Sequence, residues 1–217
     1  ASTNDKVLGP TWEQLHAPPP TRREPLGWWE NKRERLLEIA AGRQAAFVYD
    51  REELTRRVKE LLSLRSVDRV LYAMKANPHP QVLRTVVAAG AGLECVSRGE
   101  LERALEAGAA DVLFTPNFAP RDEYEFAFAS GAHVTLDNLH PLREWPEVFA
   151  GREIFVRIDT GRGRGHHQHV RTAGASSKFG IPVEEIDELL ALARSHAVRI
   201  RGLHAHPGSG IFDIQNW

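Results

Sequence analysis

Lys75 closes the apolar run Leu71-Tyr72-Ala73-Met74 and is followed by Ala76-Asn77-Pro78. The run reads as a buried strand, and an unpaired ammonium at its end is costly unless its pKa falls or it takes a covalent partner. A neutral lysine amine is what Schiff-base chemistry uses. A strand-end lysine can equally carry its ammonium out to solvent along its aliphatic stem, and this segment alone leaves both readings open.

Other elements must bring reactive groups to Lys75. From residue 46 onward strand-like and helix-like segments alternate, the pattern of α/β folds with parallel strands. The expected strands cover 46–49, 70–75, 93–96, 112–115, His133–Leu136, 154–158 and 200–206. Helices are expected from the Asp50 cap to 64 and over 80–89, 98–107, Arg121–Ala129, 141–149 and 183–196. Asp50 with Glu53, and Ser97 with Glu100, have the spacing of capping boxes, and Gly108 is a helix stop. Counted from the Lys75 strand there are six βα-type strands. No Gly-x-Gly-x-x-Gly comes after the first of them, so the pattern points to a (β/α)8 TIM-type barrel rather than a dinucleotide-binding open sheet. Such a barrel typically needs about 250 residues, and the expectation is an N-terminal part with its last strands missing.

Barrel chemistry collects at the C-terminal ends of strands. Lys75 and Asn77 follow the first, Glu94 and Ser97 lie on or after the second, and Asn117 follows the third. Asp137 and Asn138 follow the fourth, Arg157 and Asp159 the fifth, and His204, His206 and Ser209 the sixth. An amine nucleophile, acids, an arginine and imidazoles suit a site for an anionic, covalently held ligand. The turn Pro207-Gly208-Ser209-Gly210 adds backbone N–H groups and a hydroxyl that could approach a phosphate, although a Gly-Ser-Gly turn alone is a weak signal.

Residues 1–44 differ from the rest, with the Pro18-Pro19-Pro20 run, Trp28-Trp29, many charges and a helix expected over 30–41. They read as an N-terminal extension to a barrel domain at 45–217. Trp28-Trp29 could dock on a neighbouring domain or subunit, or pack on the chain's own surface. A net charge of −1 argues against a nucleic-acid or membrane-surface protein, and no apolar run reaches the roughly 18 residues of a spanning helix. The first ten residues have no secretory pattern, and a cytoplasmic protein is expected. Cys95 is the only cysteine, which rules out an internal disulfide and makes it a core residue of its strand. The segment 160–177, with His166, His167 and His169 among glycines and arginines, reads as a basic surface loop or a lid over an acidic substrate; no metal site is expected.

Four ordered segments carry a family resemblance: Tyr72-Ala73-Met74-Lys75-Ala76-Asn77; Gly92-Leu93-Glu94-Cys95-Val96-Ser97-Arg98-Gly99-Glu100-Leu101; Ser177-Lys178-Phe179-Gly180-Ile181; and Gly202-Leu203-His204-Ala205-His206-Pro207-Gly208-Ser209. Together, over residues 46–212, the chain resembles the pyridoxal-phosphate-dependent decarboxylases of the alanine-racemase-like barrel fold (fold type III), most closely the diaminopimelate decarboxylase branch. Arg171-Thr172-Ala173-Gly174 also resembles the decarboxylase half of bifunctional proteins fused to aspartate kinase.

The resemblance implies pyridoxal 5'-phosphate as cofactor and an amino-acid substrate. It implies that Lys75 holds the cofactor as a Schiff base, that His206 stacks on its ring, that Ser209 binds phosphate, and that Glu94 and Arg157 line the cofactor pocket. Catalytic roles fall to Lys75 and His206. The family further implies a homodimer, a C-terminal β-domain and a later carboxylate against the pyridine nitrogen, none of which lies in these 217 residues, so the segment alone is expected to be inactive. Glu94 and Arg157 could instead form an ordinary ion pair, and His206 could be a packing histidine. Two departures bear on the substrate: Arg98 stands where the family usually has glycine, and Ala205 and Pro207 flank His206 in place of its usual neighbours. Ornithine, arginine or carboxynorspermidine decarboxylation, amino-acid racemisation, a non-catalytic cofactor-binding protein and a pure scaffold are the competing functions.

Overall fold

A computed structural model describes residues 27–159 and 178–206. Contacts divide the chain after Asp50 into two units. In the first, helix α1 (Trp28–Asn31) and helix α2 (Arg33–Ala40) bury none of their residues. Trp28 and Trp29 meet edge to face at 6.1 Å, and Lys32 Nζ lies 2.6 Å from Asp50 Oδ2. The strand expected over 46–49 is not formed. Phe47 is 94% exposed, and with no neighbouring strand in the described sheet the segment has neither a ladder nor a covered face to hold it extended.

The second unit alternates helices and strands. Helix α3 (Arg51–Leu62) begins where the Asp50 cap predicts, and strand β1 is Leu71–Ala73. Helix α4 (Pro80–Ala88) and β2 (Gly92–Cys95) follow, then α5 (Arg98–Glu106), β3 (Val112–Phe114), α6 (Arg121–Ala129) and β4 (His133–Leu136). Next come α7 (His140–Glu144), α8 (Pro146–Phe149), β5 (Glu153–Asp159), the two-residue β6 (Ile181–Pro182), α9 (Ile186–Ser195) and β7 (Arg199–His204). The expected helix 141–149 breaks at Trp145 (φ −132°, ψ 48°) because the following Pro146 disfavours helical backbone before it. The first turn of the expected 183–196 helix is 3-10 (Val183–Glu185).

All strand pairs are parallel, and β1 to β5 are neighbours in chain order with β7 next to β5. A doubly wound sheet reverses its strand order at a switch point; this one does not, which is the order of a βα barrel wall. Alternation then divides each strand. Leu93, Cys95, Phe114, Val134, Leu136, Ile154 and Val156 are buried in one cluster with Leu83, Leu101, Tyr124, Leu142 and Phe149 of the helices. Each such apolar side chain contributes roughly 1.5–3 kcal/mol. Tyr124 anchors the layer, its ring 5.3 Å from Phe149 and 6.0 Å from Phe114. Cys95 is core, as expected: its Sγ donates to Met74 Sδ at 3.3 Å, and burial pushes the thiol pKa up to about 12. No helix among the described residues is long and apolar enough to cross a membrane.

Candidate functional site

The other face of the strands carries the chemistry. Beyond β1 the chain does not continue as a strand to Lys75; Met74–Ala76 form a 3-10 turn. Met74 takes the buried position, and Lys75 is rotated to an exposed place at the mouth of the sheet. The expectation of a buried strand lysine is thereby corrected: the turn, rather than snorkelling from a strand, keeps the ammonium near water. Asn77 fixes the entry to α4, its Oδ1 accepting from His79 N at 3.0 Å, and the His79 ring caps that helix by accepting from Gln81 N at 3.2 Å.

At the end of β2, Ser97 Oγ accepts from Glu100 N at 3.4 Å while Glu100 Oε2 accepts from Val96 N at 2.8 Å, a reciprocal cap that closes the turn after Glu94. Glu94 points the other way and accepts the hydroxyl of Thr115 from the end of β3. On β5, Arg157 Nη1 donates to Asn117 Oδ1 at 3.3 Å, and the guanidinium lies 4.9 Å over the Phe179 ring. Phe179 is delivered by the turn at Gly180 (φ +85°), where a Cβ would come within 2.7 Å of Asp159 N, so only glycine fits. Among the described residues no ion pair joins Glu94 to Arg157: each has a different partner. On β7, His204 stands opposite Arg157 in register, and His206 lies two residues further on.

These side chains line one cavity of about 460 Å³, together with Ala73, Val96 and Leu113. Lys75, Glu94, Arg157 and His206 are therefore brought together as expected, while Ser209 and the histidines of segment 160–177 lie outside the described residues. No role is expected from the sequence for Thr115 or Phe179, which also line the cavity, although Phe179 lies inside one of the four resemblance segments. Thr115 obeys the same strand-end rule that picks its neighbours, whereas Phe179 sits two residues before β6, a strand too short to read from periodicity. No group of three or more potential metal ligands occurs among the described residues.

Electrostatics make the cavity a place for anions. Burial, then Arg157, His206 and Lys75, lowers the His204 pKa to about 4, so its ring is neutral at ordinary pH. His206 is lowered by burial, Arg157 and Lys75. Burial also lowers Arg157, opposed by Asp137, Asp159 and Glu94. An amine, a guanidinium and two imidazoles thus face one carboxylate across a space large enough for a small cofactor.

The comparisons with known proteins come to the same place. The family described as "Pyridoxal-dependent decarboxylase, pyridoxal binding domain" matches residues 51–217. The diaminopimelate decarboxylase of Deinococcus radiodurans is 36% identical over 173 residues, 79% of this chain and 45% of that protein. That of Methanothermobacter thermautotrophicus is 38% identical over 147 residues, 66% of this chain and 34% of its own. A crystal structure of a diaminopimelate decarboxylase superposes with a TM-score of 0.73 at 30% identity, covering 82% of this chain and 43% of that one. The chain therefore spans less than half the length of these relatives.

The residues present fit pyridoxal phosphate. Lys75 offers an amine for its aldehyde, His206 a flat ring, and Arg157 a cation for anionic oxygens. His204 Nδ1 is buried without a hydrogen-bond partner, a polar atom that a bound ligand could satisfy.

Proposed function

The chain belongs to the pyridoxal-dependent decarboxylases through its pyridoxal-binding domain, and from that premise we propose that it forms the cofactor-holding part of an enzyme that decarboxylates meso-diaminopimelate to L-lysine. The observation that carries this reading is the convergence of Lys75, Glu94, Arg157 and His206 on one cavity at the strand ends. In this reading residues 1–44 are an N-terminal extension and 45–217 the cofactor-binding part of the barrel. The complete protein works in the cytoplasm as a homodimer; the resemblance of Arg171-Thr172-Ala173-Gly174 to the bifunctional proteins is what would support a fused aspartate kinase domain. The 217 residues alone have negligible activity.

The cofactor, when bound, supplies a ring that takes up the electron pair released as the substrate carboxylate leaves as carbon dioxide. Lys75 would hold the cofactor through its side-chain nitrogen, the amine that the cofactor's aldehyde calls for. The 3-10 turn leaves that nitrogen exposed at the cavity mouth. Arg157, braced by Asn117 and Phe179, presents positive charge to an anionic oxygen. His206 would pack its ring against the cofactor, and Ser209 would supply a hydroxyl to its phosphate. Glu94, held by the Thr115 hydroxyl, keeps its carboxyl group at a set place in the cavity wall. Ala73, Val96, Leu113 and Phe179 form the apolar part of the same wall.

Two measurements test the reading on the full-length protein. Borohydride reduction in the presence of pyridoxal phosphate, followed by peptide mapping, should tag Lys75; a tag elsewhere, or none, overturns the assignment. Product analysis should give lysine from meso-diaminopimelate and little turnover of ornithine or arginine; the reverse preference would move the protein to another branch of the family.

A further inference from the structure

Asp137 follows the last residue of β4 at the height of the cavity yet is not part of its lining. The residue is 2% exposed. Oδ1 accepts from Asn138 Nδ2 at 2.8 Å, while Oδ2 is buried with no hydrogen-bond partner. A carboxyl taken out of water on these terms costs stability unless a charge answers it. Burial raises its pKa, and Asn138, Arg157 and the backbone N–H groups of Asp137 and Phe118 pull it back.

Strand register supplies the answering charge. Leu136 of β4 pairs with Val156 of β5, which sets the next residues, Asp137 and Arg157, side by side. Across β5, Arg157 pairs with His204 of β7. Three ionisable side chains from three adjacent strands thus form one row across the sheet. Two of the four buried side-chain atoms without a partner among the described residues, Asp137 Oδ2 and His204 Nδ1, flank Arg157 in this row. Inside the cavity the contacts of Arg157 are the neutral Asn117 amide and the Phe179 ring, and Asp137 is the foremost of the carboxylates acting on it, ahead of Asp159 and Glu94. The β3–α6 loop is drawn into the same row: Phe118, next to Asn117, takes a left-handed backbone (φ 57°) that is uncommon for a bulky residue.

We propose that Asp137 is a positioning residue: from behind the cavity wall it supplies the fixed counter-charge that holds the Arg157 guanidinium against Asn117 and Phe179, ready for an anionic oxygen of the bound cofactor. Without it only Asp159 and Glu94, which act on Arg157 more weakly, would answer the guanidinium, and it would be free to leave Asn117 and Phe179. The cofactor arm of this inference rests on the pyridoxal phosphate reading; the placement of Arg157 does not.

The test uses the full-length protein and two readouts. Asp137→Asn keeps the shape of the side chain and removes its charge. Pyridoxal phosphate affinity, followed by the visible absorbance of the bound cofactor, should fall about tenfold in Asp137→Asn, and less than about twofold when the same change is made in an Arg157→Ala background. An equal loss in both backgrounds would make Asp137 a purely structural residue and overturn the proposal, as would an unchanged affinity of Asp137→Asn. The second readout needs no cofactor: in a crystal structure of cofactor-free Asp137→Asn, Arg157 should have left Asn117 and Phe179. Retained contacts would sink the proposal even if the wild-type protein bound no pyridoxal phosphate, a result that would separately end the functional reading. Asp137→Ser, with the same expected outcomes, serves should Asp137→Asn not accumulate in folded form.

Discussion

The two faces of the same strands do opposite work. Toward the helices, Leu93, Phe114, Leu136, Ile154 and Val156 are fully buried and apolar, and their partners are rings and methyl groups. One residue further along four of these strands, Glu94, Thr115, Asp137 and Arg157 stand on the polar side around or behind a cavity. Strand alternation alone separates them. The comparison teaches that stability and chemistry can be changed independently here, since a substitution on one face leaves the other face's contacts in place.

The sharpest test of that separation is Lys75→Ala. It should remove borohydride tagging and lower decarboxylation by the full-length protein by on the order of 10⁴-fold or more. Because Lys75 is exposed and makes no core contact, the urea midpoint of the variant should match that of wild type. A large loss of stability would show that the two faces are coupled. The reciprocal experiment is Phe149→Ala in the helix layer, where the ring contacts Tyr124 and Phe128. It should cost about 3–5 kcal/mol in denaturant unfolding, with cofactor affinity unchanged in the fraction that stays folded.

Acid should act through the polar face. The His204 pKa of about 4 in the folded chain lies below its ordinary 6.5, so the unfolded chain takes up the proton first as pH falls. The stability tied to this ring is therefore present above 6.5 and is lost as pH drops through the window from 6.5 to 4. Unfolding of cofactor-free wild type and His204→Gln, compared across that window, should show a shallower loss in the variant; parallel curves would mean that the imidazole is not held neutral by its surroundings. The smallest effect is expected from Thr115→Val, which removes the hydroxyl that Glu94 accepts. About 1 kcal/mol should go from cofactor binding rather than from folding, visible as a weaker absorbance titration at unchanged thermal midpoint.

Much of the fold and of the site is legible in the sequence, and the reasons are local. The Ser97 and Glu100 cap needs only two residues three apart, and the longer strands from β1 to β5 and β7 need only a short-range period. Cys95 can be placed in the core from its apolar neighbours. Where the expectation fails, a long-range or context effect has intervened. The 46–49 segment has strand-like residues and no ladder partner among the described residues, and 141–149 has helical periodicity interrupted by one proline. The candidate site divides the same way: strand ends and the family resemblance mark Lys75, Glu94, Arg157 and His206, whereas Thr115 and Phe179 matter for what they touch across the sheet.

By itself the order of residues determined the parallel α/β alternation, the side of each strand that is apolar and the set of reactive groups near strand ends. Only the tertiary structure decided that Lys75 turns outward on a 3-10 turn, that Asp137, Arg157 and His204 share one row, and that Glu94 and Arg157 take separate partners. The physical reason is range. Period and capping are properties of neighbours along the chain, while register sets which side chains meet across hydrogen-bonded strands, and it is settled only when every strand has docked.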